Sequence, residues 1–146
     1  MLSRAELRSW LRVIEGMRSL LNALDQELRT NAGISHDDYE ILSRLHRATN
    51  RTLRMSDLAS DIGYSPSRLT HAVTRFERDG LVRRSRSTTD GRGVEVTLTE
   101  PGVVRIRDAS VDHLDQVRHL VFETLGSDRA KALAAAMRDI RRAVVD

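Results

Sequence analysis

Apolar residues recur at helical spacing over most of this 146-residue chain, and the period changes in one short stretch. Leu7, Trp10, Ile14, Met17, Leu21, Leu24 and Leu28 step by three and four, a seam of coiled-coil spacing that predicts one long helix. Ser3 and Glu6 fit a capping box at its start, and Gly33 follows its end. Leu11, Val13 and Leu20 widen the seam beyond what the outermost helix of a small domain needs, so part of it is expected to face a second subunit. Ser35 caps a second helix, with Asp37 and Asp38 in its first turn and Tyr39, Ile41, Leu42 and Leu45 facing inward. A polar, basic segment from Ala48 runs into a short strand at Thr52 to Met55. Ser56 is then expected to cap a very short helix, Asp57 to Ile62, closed by a Gly63-Tyr64 turn.

The next helix opens with Ser65 as cap and Pro66 in its first turn. Leu69, Ala72, Val73 and Phe76 form its buried face and Gly80 ends it. Ser67, Arg68, Thr70, His71, Thr74, Arg75 and Arg78 remain on the other side, donors suited to phosphates or base edges. A short helix, a glycine turn and a second helix with its polar face outward make a helix-turn-helix pattern. From Leu81 the period becomes two: Val82 and the arginines 83, 84 and 86 precede the turn-forming run Ser87 to Gly93, and Val94, Val96 and Leu98 alternate with Glu95, Thr97 and Thr99. The hairpin makes the pattern a winged one. Thr99 caps a helix with Pro101 in its first turn, expected to run to Gly126, and Ser127 caps a last helix whose Leu133, Met137, Ile140 and Val144 form a second seam.

Charge sharpens this picture. The chain carries a formal net charge of +3, whereas Tyr64 to Arg92 alone holds seven arginines against three acids, so the positive field is concentrated on the second helix of the motif and the hairpin. The absence of cysteine excludes thiol catalysis and disulfides. No apolar run approaches a membrane span and no signal-peptide core is present, so a cytoplasmic protein without a membrane partner is expected. The length suits one domain.

The strings MSDLASDIGYSPSRLTHAVTRFERDGLV and RRSRSTTDGRGVEVTLTEPG, in that order between long terminal helices, resemble the MarR family of winged-helix transcriptional regulators. The resemblance implies a mainly α fold with a small β-hairpin, a winged helix-turn-helix lobe over residues 35–99, and dimerisation helices over 1–32 and 100–146, all in one domain. It implies a homodimer on double-stranded DNA at a pseudo-palindromic operator, a repressor released by a small aromatic or phenolic effector. Carried onto this sequence, Ser65, Ser67, Arg68, Thr70, His71, Thr74 and Arg75 would lie in or beside the major groove. Arg92 at the wing tip would enter the minor groove, braced by Asp90. Arg84 and Arg86, which strand alternation puts on one side, suit either phosphate contact or solubility alone.

Other readings stay open at this point. Trp10, Ile14, Met17, Tyr39 and His113 are either plain core or the lining of an effector pocket, with Arg12 or Arg18 as a carboxylate partner. A regulator that binds DNA constitutively, or a winged-helix module that binds protein and uses its arginines for solubility, would carry the same pattern. The five histidines lack the i, i+3 or i, i+4 spacing of helical metal ligands, so no metal and no cofactor is expected. No Gly-rich phosphate loop or nucleophile elbow points to an enzyme.

Overall fold

The computed structural model describes residues 1–87 and 91–145. In chain order they form α1 (Arg4–Asn31), α2 (His36–Arg47), β1 (Thr52–Arg54), α3 (Met55–Ile62), α4 (Pro66–Arg78), β2 (Val82–Arg86), β3 (Val94–Leu98), α5 (Glu100–Val117) and α6 (Thr124–Val145). The chain divides into two compact units, Asp25–Val111 and a second made of Met1–Leu24 with the chain from Asp112 on.

In the first unit, capping fixes where helices begin. The Ser35 hydroxyl accepts the Asp38 amide at 3.1 Å, and the Asp25 carboxylate accepts the His36 amide at 2.8 Å while Arg29 donates to its other oxygen at 2.6 Å. These bonds, the His36 amide foremost, hold the Asp25 carboxyl below its usual range. The inward faces then close over one core: Leu28 from α1, Ile41, Leu42 and Leu45 from α2, Leu58 from α3, Leu69, Val73 and Phe76 from α4, and Val103 and Ile106 from α5. Burying each such side chain contributes about 1.5–3 kcal/mol before entropy is counted.

The sheet has the order β1-β3-β2, antiparallel throughout. Val82 pairs with Leu98 and Arg86 with Val94, so the hairpin expected from the alternating pattern is present. β1 pairs Thr52 with Thr97, their hydroxyls 2.8 Å apart. One capping expectation fails. α3 begins at Met55, with Arg54 at the cap position and no side-chain cap, and Ser56 lies inside the first turn with its hydroxyl 3.3 Å from Asp57. The ladder is the cause: Arg54 is held extended opposite Glu95, so the chain turns directly from strand into helix.

α5 starts as expected, with the Thr99 hydroxyl accepting the Gly102 amide at 3.2 Å and donating to the Gly80 carbonyl at 2.7 Å. Gly102 sits so close to the hairpin base that a Cβ there would lie 2.2 Å from the Leu81 carbonyl oxygen and 2.6 Å from Leu98.

In the second unit, the capping box is formed: the Ser3 amide donates to Glu6 at 2.7 Å and the Glu6 amide to the Ser3 hydroxyl at 3.2 Å. Regular α geometry in α5 ends at Val117, short of the expected Gly126, and a wider π-type turn occupies Arg118–Glu123. Gly126 breaks the helical path near the start of α6, at φ 73° and ψ 166°, a conformation essentially confined to glycine. Among the described residues no helix is long and apolar enough to cross a membrane.

Candidate nucleic-acid interface

α4 is built as its sequence dictates. The Ser65 hydroxyl accepts the Arg68 amide at 3.3 Å and Pro66 occupies the first turn, where no N–H is needed. Leu69, Ala72, Val73 and Phe76 are buried, which fixes the helix's rotation and therefore which side chains face out. At 100° per residue Ser67, His71, Thr74 and Arg78 point most directly away from the core, with Thr70 about 70° to one side of that direction and Arg75 about 70° to the other, all of them exposed. Ser67 shares a hydrogen bond of 3.3 Å with Ser65, and the Thr70 hydroxyl donates back to the Pro66 carbonyl at 2.8 Å.

Arg68 and Arg75, which the sequence groups with that row, lie on its flank toward α2. Arg68 donates to Asp37 at 2.6 Å and its guanidinium stacks 3.8 Å from the centre of the Tyr64 ring; Arg75 pairs with Asp38. Burial pushes the Tyr64 hydroxyl well above the ordinary phenol range, with Asp37 adding to it, so the ring stays neutral and suits the cation above it. A cleft of about 290 Å³ runs between the two helices, lined by Asp37, Asp38, Tyr64, Arg68, His71 and Arg75 among others. The sequence marks Asp37 and Asp38 only as acids in the first turn of α2, where negative charge suits the helix dipole.

The hairpin is fastened to α4 by Arg84. Its side chain reaches Glu77 Oε2 with Nε at 3.0 Å and Nη2 at 2.7 Å, and its backbone amide donates to Oε1 at 2.9 Å. Arg84 thus joins helix to wing, a structural use that the phosphate-contact expectation did not include. These bonds hold the Glu77 carboxyl below its usual range. The unfolded chain binds this proton more readily, so the clamp stabilises the fold above the ordinary glutamate pKa and is lost as pH falls through the lowered folded value. Melting curves of wild type and Glu77→Gln across pH are expected to differ at neutral pH and converge in acid; parallel curves at all pH would contradict this.

A second tie sits at the other end of the ladder, next to the tip of the wing. Ser87 is buried, its hydroxyl accepting from Arg54 at 3.3 Å and donating to Glu95 at 2.9 Å, while its amide donates to the Gly93 carbonyl at 2.8 Å. Arg83, Arg86 and Arg92 are exposed along the wing. Asp90, the expected brace for Arg92, lies outside the described residues.

The candidate effector residues are divided. Tyr39 belongs to the core of the first unit, where its hydroxyl shares a 3.2 Å hydrogen bond with Ser110. In the second unit His113 is buried, Ile14 is half-buried, and Trp10 and Met17 are exposed.

The MarR family model matches residues 34–94, which hold α2 through the start of β3. The crystal structure of Sco3205, a MarR family transcriptional regulator from Streptomyces coelicolor in complex with DNA, superimposes with a TM-score of 0.93 at 36% identity, covering 98% of this chain and 90% of that one. AbsC, a MarR family transcriptional regulator from the same organism, gives 0.92 at 33% identity, covering 99% and 97%. YwhA of Bacillus subtilis, an uncharacterised HTH-type transcriptional regulator, is 31% identical over 98 residues, 65% of this chain, and the chain spans 66% of that relative's length, just under two thirds. The chain belongs to the MarR family of winged helix-turn-helix transcriptional regulators.

Proposed function

We propose that this chain represses transcription as a homodimer that covers a pseudo-palindromic operator and leaves it when a small aromatic acid binds. The observation that carries the reading is the outward row of α4 beside an arginine-bearing wing. Ser65, Ser67, Thr70, His71 and Thr74 lie in or beside the major groove, where hydroxyl and imidazole groups read base edges. Arg86 follows the phosphates, and Arg92 reaches the minor groove, where a narrow groove concentrates negative potential.

A second copy is expected on the apolar side chains left exposed in the second unit, among them Trp10, Leu11 and Leu21. Release by an aromatic acid is supported by NadR, 25% identical with a TM-score of 0.74 and covering 89% of each chain, whose crystal structure is in complex with 4-hydroxyphenylacetate. Repression is steric: two α4 helices must sit about one helical turn of DNA apart, near 34–36 Å, and a ligand that alters their spacing breaks the register.

Salt titration tests the DNA reading. A dimer making about six phosphate contacts should lose on the order of 10³-fold affinity for its duplex between 50 and 200 mM salt. Salt-independent binding, or none, would favour a protein-binding module. Arg92→Ala is expected to weaken binding severalfold with the preferred sequence unchanged, because the wing reads groove shape; unaltered affinity in gel-shift titrations would remove Arg92 from the contact set.

A further inference from the structure

We propose that Asp37 and Asp38 act as internal stand-ins for DNA phosphate, holding Arg68 and Arg75 off the duplex, so that Arg78 is the one charged side chain left in the outward row with which α4 meets DNA. The proposal rests on the DNA-binding reading and concerns the regulation of that same face.

Three observations carry it. The first is rotation: with Leu69, Ala72, Val73 and Phe76 buried, Arg68 and Arg75 fall on the flank of α4 next to α2, one turn on either side of His71 and Ala72. The second is partnership. Each guanidinium already meets a carboxylate, Arg68 with Asp37 at 2.6 Å and Arg75 with Asp38, in the charge-assisted geometry a phosphate oxygen would offer. The third is confinement. Arg68 is covered on one face by the Tyr64 ring 3.8 Å away, and the Asp38 side chain is only 17% exposed, so it is anchored on the protein side of the pair.

Each guanidinium meets its carboxylate through Nη2, so a phosphate would find a side chain whose charge is already offset and whose direction is already set. Phosphate contacts supply nearly all sequence-independent affinity, whereas base contacts supply discrimination. Occupying two arginines internally therefore lowers binding to arbitrary DNA and leaves Ser67, Thr70, His71 and Thr74 to decide between sequences. In this reading Asp37 and Asp38 are specificity-determining residues that never touch the operator.

The test needs no known operator, because the effect is on sequence-independent binding. Affinity for a short mixed-sequence duplex is measured against salt for the full chain, for Asp37→Asn with Asp38→Asn, for Arg68→Ala with Arg75→Ala, and for all four changes together. The asparagine pair is expected to bind tighter and to steepen the slope of log affinity against log salt by up to about 0.9 for each arginine freed. The alanine pair should leave the slope of the otherwise wild-type chain unchanged, yet reverse the steepening in the asparagine background. If the alanine pair flattens the slope equally in both backgrounds, the arginines already contact phosphate and the proposal is overturned. Steepening that survives the alanine changes overturns it too, since it would then come from lost negative charge alone. Should the double asparagine variant melt without cooperativity, Asp37→Asn, whose parent side chain is 56% exposed, tests Arg68 by itself. A wild-type chain with no salt-dependent affinity for any duplex would remove the DNA-binding reading itself, an outcome distinct from equal slopes in a chain that binds.

Discussion

Gly102→Ala is expected to destabilise the unit Asp25–Val111 by on the order of 3 kcal/mol, the upper end of what overpacking a filled interior costs. The added methyl would meet the Leu81 carbonyl oxygen at 2.2 Å and the Leu98 side chain at 2.6 and 3.0 Å. Leu98 could change rotamer only within a packed core, since it is 3% exposed, and the Leu81 carbonyl is held in place because it accepts the Thr99 amide at 3.0 Å. Relief therefore requires the first turn of α5 to lift off the hairpin base, which undoes the Thr99 cap as well. A melting temperature lower by roughly 10 °C is expected in calorimetry. Gly16→Ala in the middle of α1, with nothing within 4 Å of the new methyl, supplies the contrast: it should be neutral or stabilising by up to about 1 kcal/mol. A Gly102→Ala protein that melts with wild type would mean that the hairpin base yields without cost.

Leu11→Glu combined with Leu21→Glu is expected to give a folded monomer with 10²- to 10⁴-fold weaker operator binding. The parent side chains are 56% and 48% exposed, so neither change removes core packing, and the unit that carries α4 keeps its own core. What the two carboxylates do is prevent a second copy from covering the stripe, because each would be buried without a partner. One lobe alone then grips one half-site, and the gain from linking two binding events, on the order of 10² to 10⁴, is lost. Sedimentation reads the assembly and gel shift reads the affinity. A variant that remains dimeric, or a monomer that binds as tightly as wild type, would contradict the arrangement.

Local signals make most of the architecture legible in the sequence. Ser3, Ser35 and Ser65 cap the helices they were expected to cap, because an N-cap is a contact between residues two or three apart and leaves its mark in a four-residue window. The alternation of Val94, Val96 and Leu98 revealed the wing for the same reason. Ser56 shows the boundary of that logic: its sequence context is that of a cap, but pairing of Arg54 with Glu95, forty-one positions along the chain, sets where α3 begins. The partners of two candidate interface residues were hidden in the same way. Arg68 and Arg75 have the composition of a DNA-reading face, and their engagement by Asp37 and Asp38 depends on how α2 packs against α4, which no short window encodes. The Glu77 clamp on Arg84 and the Arg54–Ser87–Glu95 tie are likewise products of tertiary register. The rotation of α4 was recoverable in principle, since the buried positions alone place Arg68 and Arg75 on its flank, next to Ala72.

The proposed regulator is a paired molecule that grips duplex DNA through two copies of α4 and two wings. Selection of bound fragments from a random-sequence duplex pool by the purified full chain, followed by sequencing, addresses it most directly. An inverted repeat is expected, its half-sites centred about one helical turn apart. Enriched fragments without inverted symmetry, or a pool that never departs from random, would contradict it.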